Sequence, residues 1–216
     1  MKIKHFKGIK PGFPQIPLPY FKKEMVLYFI PTPESTYKQT AATYKGKPIN
    51  PNVEQADWLK AGGMTLGSFF NSRKASAMLG WRYYNNEFHY TPYCHDSTGE
   101  IHRYDRPNPN NDAPNGYITG KIYQPIKMII TWNTNQVNIV LINMVTEDTT
   151  SMTLELLRKV SRINRTIISW FGGTLPAPQK TTYHKFINVK EYKIWEKIKK
   201  FNWINVTLFP DDKTLI

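Results

Sequence analysis

Residues 76–105 read SAMLGWRYYNNEFHYTPYCHDSTGEIHRYD, and they set the architecture of the chain. Residues 76–84 and 88–95 are short runs rich in aromatic and apolar side chains, joined across Asn85-Asn86. Asparagine tolerates the left-handed backbone that a tight hairpin turn requires, so the two runs read as adjacent antiparallel strands. A second turn over residues 96–99, DSTG, leads into a third strand at 101–105. By two-residue alternation His89, Thr91, Tyr93 and His95 share one face of the middle strand. A four-residue turn at 96–99 would set His95 opposite Glu100, Tyr93 opposite His102 and Thr91 opposite Tyr104. That face would then show three His, two Tyr and a Glu, a lining suited to stacking on a sugar ring and bonding its hydroxyls. Tyr93, His95, His102 and Tyr104 are therefore the candidate carbohydrate contacts. Histidines at i and i+6 without a supporting pair of carboxylates match no metal-ligand spacing, so no metal is expected.

Outward from this stretch the same grammar repeats. Further candidate strands are 25–30, 64–70, 122–132, 136–142, 152–157, 166–171, 181–189 and 203–209, bounded by clusters of Gly, Pro, Asn and Asp. With the three above, about eleven strands indicate an all-β sandwich or barrel. Residues 133–135 read as another hairpin connection. Two helices are expected, a short one at 53–60 carrying Trp58, and one at 191–201 that spaces Ile194, Trp195, Ile198 and Phe201 along one side with Lys on the other. The loop 106–116, RPNPNNDAPNG, reads as surface.

The chain has 216 residues, 40% of them hydrophobic and 14% aromatic, which excludes disorder as a description of the whole. Its single cysteine, Cys94, cannot close an internal disulfide and removes zinc-finger and CxxC readings. The lysines at the N-terminus are followed by Pro11-Gly12-Phe13-Pro14 rather than by an apolar signal segment. The apolar stretch at 25–30 falls far short of the ~20 residues that cross a bilayer. A soluble protein made in a reducing cytoplasm, with no membrane partner, is expected.

The formal charge of +13 sits at the ends. Residues 1–24 hold six Lys against one Glu, residues 25–150 are nearly balanced, and residues 151–216 are again strongly basic. A nucleic-acid reader concentrates charge on the folded surface that enters a groove, so sequence-specific nucleic-acid binding is not expected. Two explanations stand: AT-rich coding that supplies lysine wherever a surface tolerates it, or basic ends that dock on an acidic partner. Residues 1–24 read as an arm, because Pro11, Pro14, Pro17 and Pro19 forbid helix and central strand while Phe13, Ile16, Leu18 and Tyr20 alternate with them. Such an arm lies along a partner or the parent domain, or hangs as a loose terminus. Lys2, Lys4, Lys7, Lys10 and Phe13 in the arm are the candidate partner contacts. Arg158, Arg162 and Arg165, ahead of the strand at 166–171, are further candidates and could bind phosphate or carboxylate. The expected organisation is an arm at 1–24, a sandwich at 25–190, and a helix and tail at 191–216.

Motifs of catalysis are missing: no G-x-S-x-G elbow, no phosphate-binding glycine loop and no HExxH. None of the candidate strands carries two acids in the alternating pattern that glycoside hydrolysis uses. Gly62-Gly63 and Gly172-Gly173 read as tight turns, and Glu147-Asp148 as a solvated loop.

Asp57-Trp58, SRKASAMLGWRY at 72–83, FHYTPYC at 88–94 and SWFGGTLPAP at 169–178 together resemble a concanavalin A-like jelly-roll sandwich seen in uncharacterised proteins of Bacteroidetes and their phages, over about residues 25–190. In that family the closing motif continues to APHD, whereas Gln179-Lys180 stand here in place of His-Asp. This departure weakens the inference of a shared ligand at that loop. The resemblance implies a jelly-roll sandwich, a fold shared with lectin modules, family-16 glucanases and family-7 alginate lyases. The glucanase E-x-D-x-x-E is absent, and WFGGTLPAPQ matches the lyase YFKAG motif only loosely, so no enzymatic activity and no cofactor are expected. With the basic arm and C-terminal helix, the chain resembles an auxiliary capsid or head-surface protein of crAss-like phages. That implies a virion location and contacts with the major capsid protein or other virion proteins. A carbohydrate-binding module is the alternative, and a polysaccharide lyase or hydrolase using a His and a Tyr of the same sheet is the third reading.

Overall fold

The computed structural model describes residues 2–5, 19–20, 23–40, 42–44, 46–66, 75–107, 116–156, 164–170, 182–188 and 192–193. In chain order the strands are β1 (Lys2–His5), β2 (Pro19–Tyr20), β3 (Glu24–Pro31), β4 (Thr43–Tyr44) and β5 (Lys47–Pro48). The helix α1 (Pro51–Gln55) follows, then β6 (Leu59–Thr65), β7 (Ser76–Tyr84), β8 (Glu87–His95), β9 (Ile101–His102) and β10 (Ile118–Gly120). The last strands are β11 (Ile126–Trp132), β12 (Gln136–Asn143), β13 (Thr149–Glu155), β14 (Asn164–Trp170) and β15 (Thr182–Asn188). They form a six-stranded sheet, β1-β15-β3-β11-β12-β13, and a seven-stranded sheet, β10-β8-β7-β6-β14-β2, with β9 beside β8 and a small β4-β5 hairpin apart. All the named strand pairs are antiparallel, so the expected all-β sandwich is the observed one. No helix among the described residues is long and apolar enough to cross a membrane.

Local chemistry explains the framework. Asn85 and Asn86 both adopt positive φ, at 52° and 64°, which joins β7 to β8 in a two-residue turn whose twist matches the strands. Asn133 closes the β11-β12 hairpin, its side chain accepting from the amides of Asn135 and Gln136. In β11 and β12 burial alternates strictly. Ile126, Met128, Ile130, Val137, Ile139 and Leu141 point inward, to meet Phe29, Leu79, Trp81, Phe88 and Tyr90 between the sheets. Each large side chain so buried contributes roughly 1.5–3 kcal/mol, which is what holds the layers together. Asn143, fully buried, ties the layers by donating from Nδ2 to the Thr119 carbonyl at 2.9 Å.

Several expectations are corrected. The strand expected at 64–70 begins earlier, at Leu59, and Gly62-Gly63 lie inside it rather than in a turn. Gly63 sits where a Cβ would collide with the Ala77 backbone, so the pair lets β6 approach β7 through a bulge between Lys60 and Gly62. The helix expected at 53–60 ends at Gln55, since Trp58 is drawn into the sheet margin. The described parts of the arm lie along the parent domain, one of the two placements expected: β1 pairs with β15 and β2 with β14, each at a sheet edge, where a proline such as Pro19 is tolerated. The strand expected at 203–209, and the helix at 191–201 apart from the helical Tyr192 and Lys193, lie outside the described residues.

The sheets differ in their outer faces. In the six-stranded sheet β11 and β12 alternate between buried and half-buried positions, and β3 is buried on both sides only from Tyr28 to Pro31, where Tyr192 packs on Tyr28 and Ile30; β7 and β8 are buried on both sides for most of their length. Something covers the free face of the seven-stranded sheet.

Candidate ligand-binding face

On that free face β7 contributes Ser76, Met78, Gly80, Arg82 and Tyr84, and β8 contributes His89, Thr91, Tyr93 and His95. The register sets Arg82 beside His89 and Gly80 beside Thr91. Gly80 matters for space: a Cβ there would come within 2.9 Å of Thr91 and 3.1 Å of Tyr93, so its absence makes room for the Tyr93 ring. Trp58, Met78 and Tyr93 form a second small apolar cluster with Tyr117 against it.

The cover is the base of the loop that leaves β9 and returns to β10. Asp105 accepts from Trp58 Nε1 at 2.6 Å and from Arg103 Nε at 3.1 Å. Tyr117 stacks on His89 with ring centroids 4.3 Å apart. The loop is pinned to the other sheet at two points: the Tyr104 hydroxyl donates to the Ser151 carbonyl at 2.9 Å, and the Thr150 hydroxyl donates to the Gly116 carbonyl.

At the centre stands Arg82, only 8% exposed. Its guanidinium lies 4.3 Å from the Trp58 ring centre, 5.2 Å from that of Tyr117 and 5.4 Å from that of Tyr84. Nε donates to His89 Nδ1 at 3.2 Å and Nη1 to the Ala56 carbonyl at 2.8 Å. An accepting Nδ1 requires the neutral imidazole. Burial and then the Arg82 charge push the His89 pKa down to about 4, which keeps the ring in that form. Alongside, Lys60 Nζ lies 4.4 Å from the Tyr93 ring centre and Arg103 5.8 Å from it. Burial raises the Tyr93 hydroxyl above its ordinary value, so it stays protonated. Tyr84, Tyr117, Lys60 and Arg103 are half-buried and form the accessible margin, while Trp58, His89 and Tyr93 back it.

Of the four expected carbohydrate contacts, Tyr93 and His95 lie on this face, 5.6 Å apart between ring centres, with His95 Nδ1 3.0 Å from the Ser76 hydroxyl. His102 and Tyr104 do not join them. The observed register sets His95 opposite Ile101 and Cys94 opposite His102, one residue away from the expected pairing. The cause is Asp96. Its Oδ1 accepts from the amides of Thr98, Gly99 and Glu100, and its backbone pairs with Glu100, so the turn spans five residues rather than four. One residue of slip reverses every side chain. His102 therefore turns to Asp96 at 3.2 Å, and Tyr104 reaches toward β13. These hydrogen bonds, the Thr98 hydroxyl first among them, hold the Asp96 carboxyl well below the usual carboxylate range. Asp96, Glu100 and His102 each bring a possible ligand atom within 4.8 Å of one another, a spacing a cation could use, but the Asp96 oxygens already close the turn.

Of the expected partner contacts, Lys2 and Lys4 lie in edge strand β1 opposite Lys185 and Tyr183, and Arg165 lies in β14 between Pro19 and Thr65. Lys7, Lys10, Phe13, Arg158 and Arg162 lie outside the described residues. Trp58, Lys60, Arg82, Tyr84, Arg103, Asp105 and Tyr117 were not among the expected contacts. For Arg82 the signal was present, since a charged residue in the apolar run SAMLGWRYY, folded about Asn85-Asn86, falls opposite His89.

No protein-family model and no curated protein matches the chain. Among solved structures it is similar to scytalido-glutamic peptidase with a peptide-based transition state analog, at 11% identity and a TM-score of 0.41. It is also similar to scytalido-glutamic peptidase with a transition state analog inhibitor, at 14% identity and a TM-score of 0.36. Each match covers 76% of this chain and 69% of the other. The expectation that the chain is not an enzyme is corrected to this extent, that the solved proteins it is similar to are peptidases; at these scores neither an activity nor a residue role carries over to this chain.

Proposed function

We propose that the free face of the seven-stranded sheet, under the loop base at 103–107 and 116–117, holds carbohydrate. The observation that carries this reading is the convergence of Trp58, Tyr84, Tyr93 and Tyr117 with the donors of Lys60, Arg82 and Arg103 on one sheet face. Aromatic rings offer flat apolar surface to the C–H face of a sugar, and convergent N–H groups offer directional bonds to its oxygens. Titration of the full chain with neutral and acidic oligosaccharides, followed by calorimetry, tests it. Binding is expected, weakened by Tyr117→Ala and Tyr84→Ala on the accessible margin and unchanged by Tyr104→Phe. No heat with any sugar, or binding indifferent to both margin variants, would overturn it.

The resemblance and the basic ends support a second proposal, that the protein docks through those ends on capsid proteins at the head surface of a phage. Salt-sensitive co-sedimentation with particles is expected, and it should weaken when Lys2, Lys4, Lys7 and Lys10 are changed to Ser.

A further inference from the structure

A guanidinium has five N–H donors, and in Arg82 the described residues match two of them, through His89 and the Ala56 carbonyl. Burying a charge is costly unless it is paired. Yet no carboxylate among the described residues makes an ion pair with Arg82. Of the nearby acids, Asp57 accepts from the Trp58 amide at 2.8 Å, Asp105 serves Trp58 and Arg103, and Glu87, opposite Tyr84 at the end of the same face, is exposed. His89, neutral, offers a lone pair but no charge. The aromatic rings around the guanidinium attract it through their faces, but they leave its net charge intact.

We infer that Arg82 is the anion subsite of this face, and that the carbohydrate it takes is acidic, bearing a carboxylate or sulfate group that supplies the missing counter-charge. This rests on the carbohydrate reading above and names its substrate class. A planar fork whose remaining N–H groups have no acceptor among the described residues fits the oxygens of such a group, and the partial burial of the fork strengthens the pairing. Lys60 and Arg103, flanking Tyr93, add positive potential along the approach.

The test is calorimetry at neutral pH on the full chain with three probes of equal length: a uronate oligosaccharide, a sulfated oligoglucose and a neutral oligoglucose. At least one acidic probe is expected to bind about tenfold or more tightly than the neutral one, with the advantage shrinking in salt. The tighter of the two acidic probes identifies the group. Arg82→Gln should abolish the preference, weakening the tighter acidic probe about tenfold more than it weakens the neutral one, and Arg82→Lys should retain part of it. Should Arg82→Gln fail to fold by circular dichroism, Arg82→Lys decides, and an undiminished preference in that variant overturns the inference. Equal affinity for acidic and neutral sugars also overturns it while leaving the carbohydrate reading standing. Failure of all three probes to bind overturns both.

Discussion

His89 should make the fold labile in mild acid. Its imidazole is buried, accepts from Arg82 and titrates near 4 in the folded chain, against an ordinary value of 6.5. The unfolded chain therefore binds the proton more readily, and stability that is fully present above about pH 6.5 is lost as the pH falls toward 4. Between pH 7 and pH 4.5 these two values give a loss of about 2 kcal/mol, a large share of the stability of a domain this size. Glutamine keeps an acceptor for Arg82 but cannot titrate, so His89→Gln should remove most of this loss. Urea denaturation of both proteins at the two pH values measures it. The comparison between proteins cancels carboxylates such as Asp96, whose depressed value also costs stability as pH falls. If His89→Gln loses as much between pH 7 and 4.5 as the parent, the buried neutral imidazole is not what the acid attacks and the account of the Arg82 cage fails.

Asp105→Ala should release the loop base from Trp58, costing about 1–3 kcal/mol for the bond to a charged acceptor and increasing amide exchange at 103–107 and 116–117; unchanged exchange would show that the Tyr117 stack and the bonds to Ser151 and Gly116 hold the cover without Asp105. Gly80→Ala should push into Thr91 and Tyr93 and destabilise by about 1–3 kcal/mol, read as a lower midpoint in urea, with the near-ultraviolet signal of the rings altered. Tyr104→Phe should cost about 1 kcal/mol through loss of the bond to Ser151, with sugar binding untouched; a binding defect would return Tyr104 to the face from which the observed register removes it.

The layered β fold was legible because its signals are local. Alternation in β11 and β12, and Asn85-Asn86 between β7 and β8, each act within a few residues and dictate pairing without help from the rest of the chain. What escaped depends on distant partners. Gly62-Gly63 look like a turn until β7 lies against them, when the missing Cβ becomes the condition for close approach. The DSTG turn looks complete in four residues until the Asp96 carboxylate gathers the Glu100 amide as well, and that one bond moves His102 and Tyr104 off the face. Half of the expected sugar contacts were lost to that single residue of register. Trp58 and Asp105, 47 positions apart, meet only because the bulge in β6 and the loop after β9 converge, and no pattern within either segment announces it.

The contrast between the two outer faces is the strongest reason to place function on the seven-stranded sheet. An antiparallel sandwich needs one buried face per sheet, and β11 and β12 of the six-stranded sheet behave accordingly, with half-buried residues alternating along them, while the outer face of β3 carries only a small apolar cover, Tyr192 on Tyr28 and Ile30. Covering the second face of β7 and β8 adds nothing that the inter-sheet core requires. Were the cover there only for stability, apolar side chains of similar volume would serve as well as a charged one, since replacing a buried charge by well-packed hydrophobic groups is often neutral or favourable. Instead the cover encloses a guanidinium, an imidazole held neutral, and a lysine and an arginine about the same tyrosine. The loop base that closes over them is fixed by hydrogen bonds to both sheets. With donors left over and no carboxylate among the described residues paired with it, a cation at the centre of so rigid a surround suits a group that comes from outside.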